Sequence, residues 1–205
     1  MTDAAKPTIS GAAEGPIDHV VLGRIIEYVG AEPGPMHGGK GKQHLLKQLA
    51  GYNRAAQFQP WAVIGDLDIG SECPPGLRQR FLPAPAPKIC FRIVVREIEA
   101  WLLADRERAA AFLGISRTLI PIEPEAAPDP KELMVSLARR SGKRQIREDM
   151  APRPQSGRQV GPGYTTALIE FVTDSAGWRP GVAAENSHSL RRCLDRLRHV
   201  VEHRE

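Results

Sequence analysis

Cysteine is scarce in this chain of 205 residues: Cys73, Cys90 and Cys193 are scattered, with no Cys-x-x-Cys pair. That pattern excludes a zinc ribbon or knuckle, and the odd count argues against a disulfide framework, so reduced thiols are expected. Histidine does not fill the gap. His19, His37, His44, His188, His199 and His203 lack metal-ligand spacing and read as structural or surface residues. Aromatic residues are few, at 5%, although the hydrophobic fraction of 41% is ordinary for a globular chain. No apolar run approaches the roughly 20 residues that span a membrane, and the N-terminus has no apolar h-region. The expectation is a soluble, cytoplasmic protein. Acidic residues are slightly outnumbered, 24 to 28, giving a formal charge of +4. Such a mild excess permits contact with nucleic acid without requiring it.

What is present centres on Trp61 to Asp68, Trp-Ala-Val-Ile-Gly-Asp-Leu-Asp. A short apolar run with β-branched residues fits a buried strand of a parallel sheet. Residues i and i+2 of an extended chain point to one side, so Asp66 and Asp68 would present two carboxylates at the strand's C-terminal end. Two such carboxylates repel, and a divalent cation bound by oxygen removes that cost. Ligands of open α/β sheets bind at that end of the strands.

The surrounding order is strand and helix in alternation. Pro7 to Ala13 is a first strand of weak propensity, followed by Glu14 and a helix from Pro16 to Val29 with Asp18 in its first turn. Gln43 to Gln57 is a helix, Leu77 to Leu82 a short one, and Ile89 to Val95 the clearest strand. Arg96-Glu97-Ile98-Glu99 then opens a helix that runs to about Leu113, with Gly114 to end it. This alternation predicts an α/β core with a mainly parallel, Rossmann-like sheet over residues 8–113. Residues 114–205 form a helical, basic extension interrupted by Pro and Gly, with helices at Pro130 to Arg140, Tyr164 to Val172 and Ser189 to Glu202.

Between the first two helices lies Gly30 to Lys42, rich in Gly, Pro and Lys. Gly34, Gly39 and Lys40 have Walker A spacing, but Gly41 stands where that motif needs Ser or Thr for Mg²⁺. Two prolines interrupt the stretch and no strand is expected before it, so a nucleotide-hydrolysing P-loop is rejected. The segment reads as a flexible basic loop, either touching phosphates through Lys40 and Lys42 or serving as a solvated connection. Arg139, Arg140, Lys143, Arg144 and Arg147 form a second basic cluster. With Arg96 it either neutralises nucleic-acid phosphates or is a solvated helix face.

Glu14, Asp18, the pair Asp66 and Asp68, and the pair Glu97 and Glu99 all lie just past expected strands or in a helix's first turn. Adjacent parallel strands are about 4.8 Å apart, so these acids can converge on one or two cations. Paired cations are common machinery for phosphodiester chemistry.

Glu14-Gly-Pro-Ile-Asp18, Gly65-Asp66-Leu67-Asp68 and Arg96-Glu97-Ile98-Glu99-Ala-Trp-Leu-Leu resemble the three signatures of the TOPRIM fold. That fold is shared by topoisomerases, bacterial-type primases and nucleases of the overcoming-lysogenization-defect (OLD) class. The Gly-Gly-Lys loop, Asp129-Pro-Lys131 and Gly161-Pro-Gly-Tyr164 extend the resemblance to a small bacterial TOPRIM-like family of uncharacterised function. The resemblance implies that Glu14 is a metal ligand or general acid/base and that Asp66 and Asp68 bind Mg²⁺. It adds Asp18 and an acid among Glu97 to Glu99 for a two-metal site. It implies an Mg²⁺- or Mn²⁺-dependent nuclease acting on DNA or RNA, with one or two ions, in phage defence beside a separately encoded OLD-type ATPase. No tyrosine is identifiable as a topoisomerase nucleophile. The alternative expectation is a non-catalytic module that uses the fold to bind nucleic acid or the ATPase.

Overall fold

The computed structural model describes residues 6–66 and 74–203. The fold is α/β with an all-parallel sheet of four strands and a helical C-terminal part. The chain divides into two compact units, Met1–Val94 with Arg191–Glu205, and Val95–Leu190.

The first unit carries the sheet, in the order β2-β1-β3-β4. Its elements are β1 (Thr8–Ala13), α1 (Pro16–Tyr28), β2 (Glu32–Gly38), α2 (Lys42–Ala55), β3 (Trp61–Asp66), α3 (Pro74–Phe81) and β4 (Ile89–Val94). Pro16 starts α1 where its missing N–H costs nothing, and Asp18 sits in the first turn, favoured by the helix dipole. On one face of the sheet, Leu45, Leu49 and Tyr52 of α2 and Leu77 of α3 pack on Ala12, Trp61, Val63, Ile89, Phe91 and Ile93. The stacked rings of Tyr52 and Trp61, 5.0 Å apart, anchor that layer. On the other face the buried thiol of Cys90 donates to the carbonyl of Cys193 at 3.9 Å. Cys193 belongs to the last helix, α10 (His188–Glu202), whose tail returns to this unit.

β1 is flanked on both sides and is buried after Thr8, despite a sequence of Ser, Gly and Ala. The reason is space. A Cβ on Gly11 would lie 2.3 Å from Met36 Sδ and 3.0 Å from Leu22 Cδ2. Small residues let α1 and β2 close on the strand, so propensity understates it.

β2 overturns the reading of Gly30 to Lys42 as a loop. Residues 32–38 pair in parallel with β1, and only the ends of the stretch, Gly30–Ala31 and the residues after Gly38, lie outside the strand. Pro33 and Pro35 hid the strand. They are tolerated because β2 is an edge strand, and the register slips between Ile9 and Gly11, leaving an extra residue on β2. A strand therefore does precede the Gly39-Lys40 turn. The P-loop still fails, because the residues that would wrap a phosphate lie in the extended strand and Gly41 replaces the Ser or Thr.

The opposite edge is β4. There Arg196 of α10 donates from Nε to the Ile89 carbonyl at 3.2 Å, and from its Nη2 to those of Ile89 and Pro87 at 3.1 and 2.7 Å.

The second unit is helical: α4 (Ile98–Ala104), α5 (Arg106–Leu113), α6 (Pro130–Arg139), α7 (Arg144–Met150), α8 (Tyr164–Thr173) and α9 (Pro180–Glu185), with short 3₁₀ turns at Arg117–Leu119 and Pro124–Ala126. The single helix expected from Glu97 to Leu113 is two. Asp105 breaks it, capping α5 through the Arg108 amide. Asp105 is fully buried and gripped by Arg179, Nε to Oδ2 and Nη2 to Oδ1, both at 2.8 Å. Gly114 ends α5 in the left-handed conformation, as expected. α7 and α9 were not expected.

Two glycines give opposite expectations. At Gly38, φ is +97° and a Cβ would meet the Ala13 carbonyl oxygen at 2.2 Å. Gly38→Ala should destabilise by about 2–4 kcal/mol, since strain and backbone clash add. Gly51, inside α2, has open space around its Cβ position. Gly51→Ala should stabilise by about 0.5–1 kcal/mol. Urea unfolding of the two variants measures both signs.

Candidate functional site

The strand order reverses between β1 and β3. The chain leaves β1 toward β2 on one side and comes back through α2 to β3 on the other, so the C-terminal ends of β1 and β3 flank a topological switch point. Glu14 is the first residue after β1, and Asp66 is the last of β3. Glu14 Oε1 accepts the Asp66 amide at 2.8 Å. Gly65 makes room for it, because a Cβ there would stand 3.0 Å from that oxygen. Lys42, at the start of α2, donates its ammonium to the Asp66 carbonyl at 2.7 Å.

The turn before α2 is tied to the end of β1. The Gly39 amide donates to the Ala13 carbonyl at 3.0 Å and the Gly41 amide to the Glu14 carbonyl at 3.1 Å. Gly38, Gly39 and Gly41 all have positive φ, which explains the glycine run. Lys40 on this turn is exposed, and Asp18 is half-buried in the first turn of α1. Asp68 lies outside the described residues.

Glu97 and Glu99 belong to the second unit. Arg96, just before them, has φ of 66°, unusual for a residue with a side chain, and donates to the Pro128 carbonyl at 3.3 Å. Glu97 is the N-cap residue of α4, yet its carboxylate turns to α6. It accepts the Lys131 amide at 2.9 Å and the Lys131 ammonium at 2.7 Å. Glu99 is 1% exposed. Its Oε1 accepts the Tyr164 hydroxyl at 2.9 Å and lies 4.0 Å from the Lys131 ammonium. Its Oε2 is buried with no hydrogen-bond partner among the described residues. Burial, together with the charge of Glu97, pushes the Glu99 carboxyl up to about 7 against the opposing pull of Lys131 and Tyr164. Burial, then the neighbouring Glu99, also raises the Tyr164 phenol.

Lys131 and Tyr164 are the residues that reasoning from strand ends alone does not reach. Their segments stood out only through resemblance. Gly161 and Gly163 press against the end of α7, where added Cβ atoms would meet Asp149 O at 2.3 Å and Asp149 Cβ at 2.7 Å. That contact seats the start of α8, from which Tyr164 reaches Glu99.

Three members of the basic cluster have partners within the chain. Lys143 donates to the carbonyls of Ala111 and Phe112 at the end of α5, at 2.8 and 3.1 Å. Arg144 pairs with Glu148 at 2.7 Å, and Arg147 donates to the Ser141 carbonyl. Arg139 and Arg140 are exposed at the end of α6.

Among the described residues no group of three or more His, Cys, Asp or Glu side chains is arranged to hold a metal ion. No helix among them is long and apolar enough to cross a membrane. Comparison with protein-family models, with curated proteins and with solved structures finds no match to the chain.

The raised Glu99 pKa has a definite sign. The folded carboxyl keeps its proton longer than the unfolded one, so its contribution is present below about pH 4.5 and is lost as pH rises through about 7. In EDTA, Glu99→Gln should be more stable than the parent at pH 8 by about 3 kcal/mol, with the difference vanishing near pH 4.5. Tyr164→Phe should be less stable by about 1–3 kcal/mol at pH 8, because it strips a buried carboxylate of its donor. Denaturant titrations across pH read both.

Proposed function

We propose that the chain is a divalent-metal-dependent, nuclease-like TOPRIM protein that cleaves a phosphodiester of DNA or RNA in the cytoplasm. The observation that carries this reading is the pair Glu14 and Asp66, joined by a 2.8 Å hydrogen bond at the carboxyl ends of neighbouring strands at the switch point. The donor set suits a hydrated cation. Mg²⁺ keeps several waters and takes one or two carboxylates, so it does not need a cage of protein ligands. Glu14 and Asp66 would hold it, with Asp68 as a further donor. A bound Mg²⁺ or Mn²⁺ supplies an acidified water and a sink for charge on the leaving oxygen.

The chain's own residues prepare the place. The Asp66 amide fixes one oxygen of Glu14, so that carboxylate is oriented before any ligand arrives. The Lys42 ammonium, held on the Asp66 carbonyl, keeps a positive charge beside the acids and limits their repulsion. Lys40 is exposed on the same turn, within the reach of a backbone phosphate. Phage defence with a separately encoded ATPase remains part of the proposal on resemblance.

The second reading is a non-catalytic module that binds nucleic acid or the ATPase. What favours it is that two of the expected ligands, Glu97 and Glu99, are already engaged by Lys131 and Tyr164. Metal titration separates the two. On the catalytic reading, Mn²⁺ raises the melting temperature of the full chain and supports cleavage of plasmid DNA or a long RNA. Glu14→Gln and Asp66→Asn each cut that cleavage at least a hundredfold, about 2.7 kcal/mol in the barrier. Nucleic-acid binding that is indifferent to EDTA, with no cleavage by the parent, would move the assignment to the module.

A further inference from the structure

A cavity of about 320 Å³ opens at the β4 edge of the sheet, wholly within the first unit and sharing no residue with Glu14 or Asp66. Three arginines from three elements line it: Arg78 of α3, Arg92 of β4 and Arg196 of α10. Pro85, Ile89 and Phe91 form the rest of its wall. Arg196 is fixed by the carbonyls of Pro87 and Ile89. Arg92 donates from Nη2 to the Arg192 carbonyl at 3.0 Å, while its Nε is buried with no hydrogen-bond partner among the described residues. All three side chains are half-buried. Among the described residues no carboxylate pairs with any of them. Burial, and then the charges of Arg92 and Arg196, lowers the pKa of Arg78.

Packing does not call for this arrangement. Three like charges in a concavity destabilise the fold, and the apolar layer below is complete without them. An anion would reverse the sign. A carboxylate offers two oxygens and one charge against three positive charges, even with some of the Arg92 and Arg196 donors held by backbone carbonyls. A phosphate offers more acceptors and more charge, in the geometry arginine matches. The volume is that of a small-ligand pocket, and the apolar wall suits a ligand with a non-phosphate part.

We propose that Arg78, Arg92 and Arg196 form a binding site for the phosphate of a nucleotide, taken either free or as a unit of a nucleic-acid strand. The site does not depend on the proposed metal centre, so its test is run in EDTA. Binding of ADP and of a 12-nucleotide single-stranded DNA to the full chain is measured at fixed ionic strength, alongside the Arg78→Gln, Arg92→Gln double variant. Arg191→Gln, an exposed arginine on α10, controls for net charge. The expected result is a Kd weakened at least tenfold in the double variant and unchanged in the control. The double variant loses the Arg92 bond to the Arg192 carbonyl along with the mutual repulsion, so its folding is verified by circular dichroism before binding is measured. If it does not fold, Arg78→Gln alone carries the test by the same tenfold criterion. Tighter binding of ADP identifies the free nucleotide as the ligand, and tighter binding of the oligomer identifies the strand. Failure of the parent to bind either probe, or a change of less than tenfold, overturns the proposal. Loss of metal-dependent cleavage bears only on Glu14 and Asp66.

Discussion

The packing of Leu22 and Met36 into the space a side chain at Gly11 would fill sets how β1 sits in the sheet. β1 lies between β2 and β3, so α1 and β2 can reach their positions only if β1 is thin. The strand meets this with Ser10, Gly11, Ala12 and Ala13. Its end is then fixed by the Gly39 amide on the Ala13 carbonyl, and the next residue, Glu14, emerges beside Asp66. The geometry of the acidic pair is thus inherited from a packing requirement several residues upstream.

The second unit handles polar groups differently. It buries them and supplies partners from distant segments. Asp105 is met by Arg179 in two parallel hydrogen bonds, and Glu97 by Lys131. Asp105 is the fully buried member of these pairs, and removing Arg179 would strip its carboxylate of two charge-assisted hydrogen bonds. Glu99 is the incomplete case. Tyr164 satisfies one of its oxygens and nothing described satisfies the other.

How much of this could be read in advance depended on where each signal resides. β3 and β4 were legible because apolar runs of strand length are a local property, and α1, α2 and α10 because their apolar positions recur at helical spacing. β2 was not legible: two prolines contradict a strand unless it is known to lie at an edge, and edge position is a property of the whole sheet. At the break, the buried charge of Asp105 is matched by an arginine 74 residues away. The same division holds at the site. Glu14 and Asp66 could be named as acids at strand ends, whereas the contacts of Lys131 and Tyr164 with Glu97 and Glu99 exist only in the folded chain.

The two margins of the sheet are closed by different chemistry. β2 lacks two backbone donors because of Pro33 and Pro35, and on β4 the Ile89 carbonyl is already taken by Arg196. A free strand edge is a template for aggregation, on which another chain can continue the ladder. Here one margin offers too few donors and the other a capped acceptor beside a cluster of positive charge. Among the described residues, both margins are therefore poorer templates for a further strand than a bare edge would be.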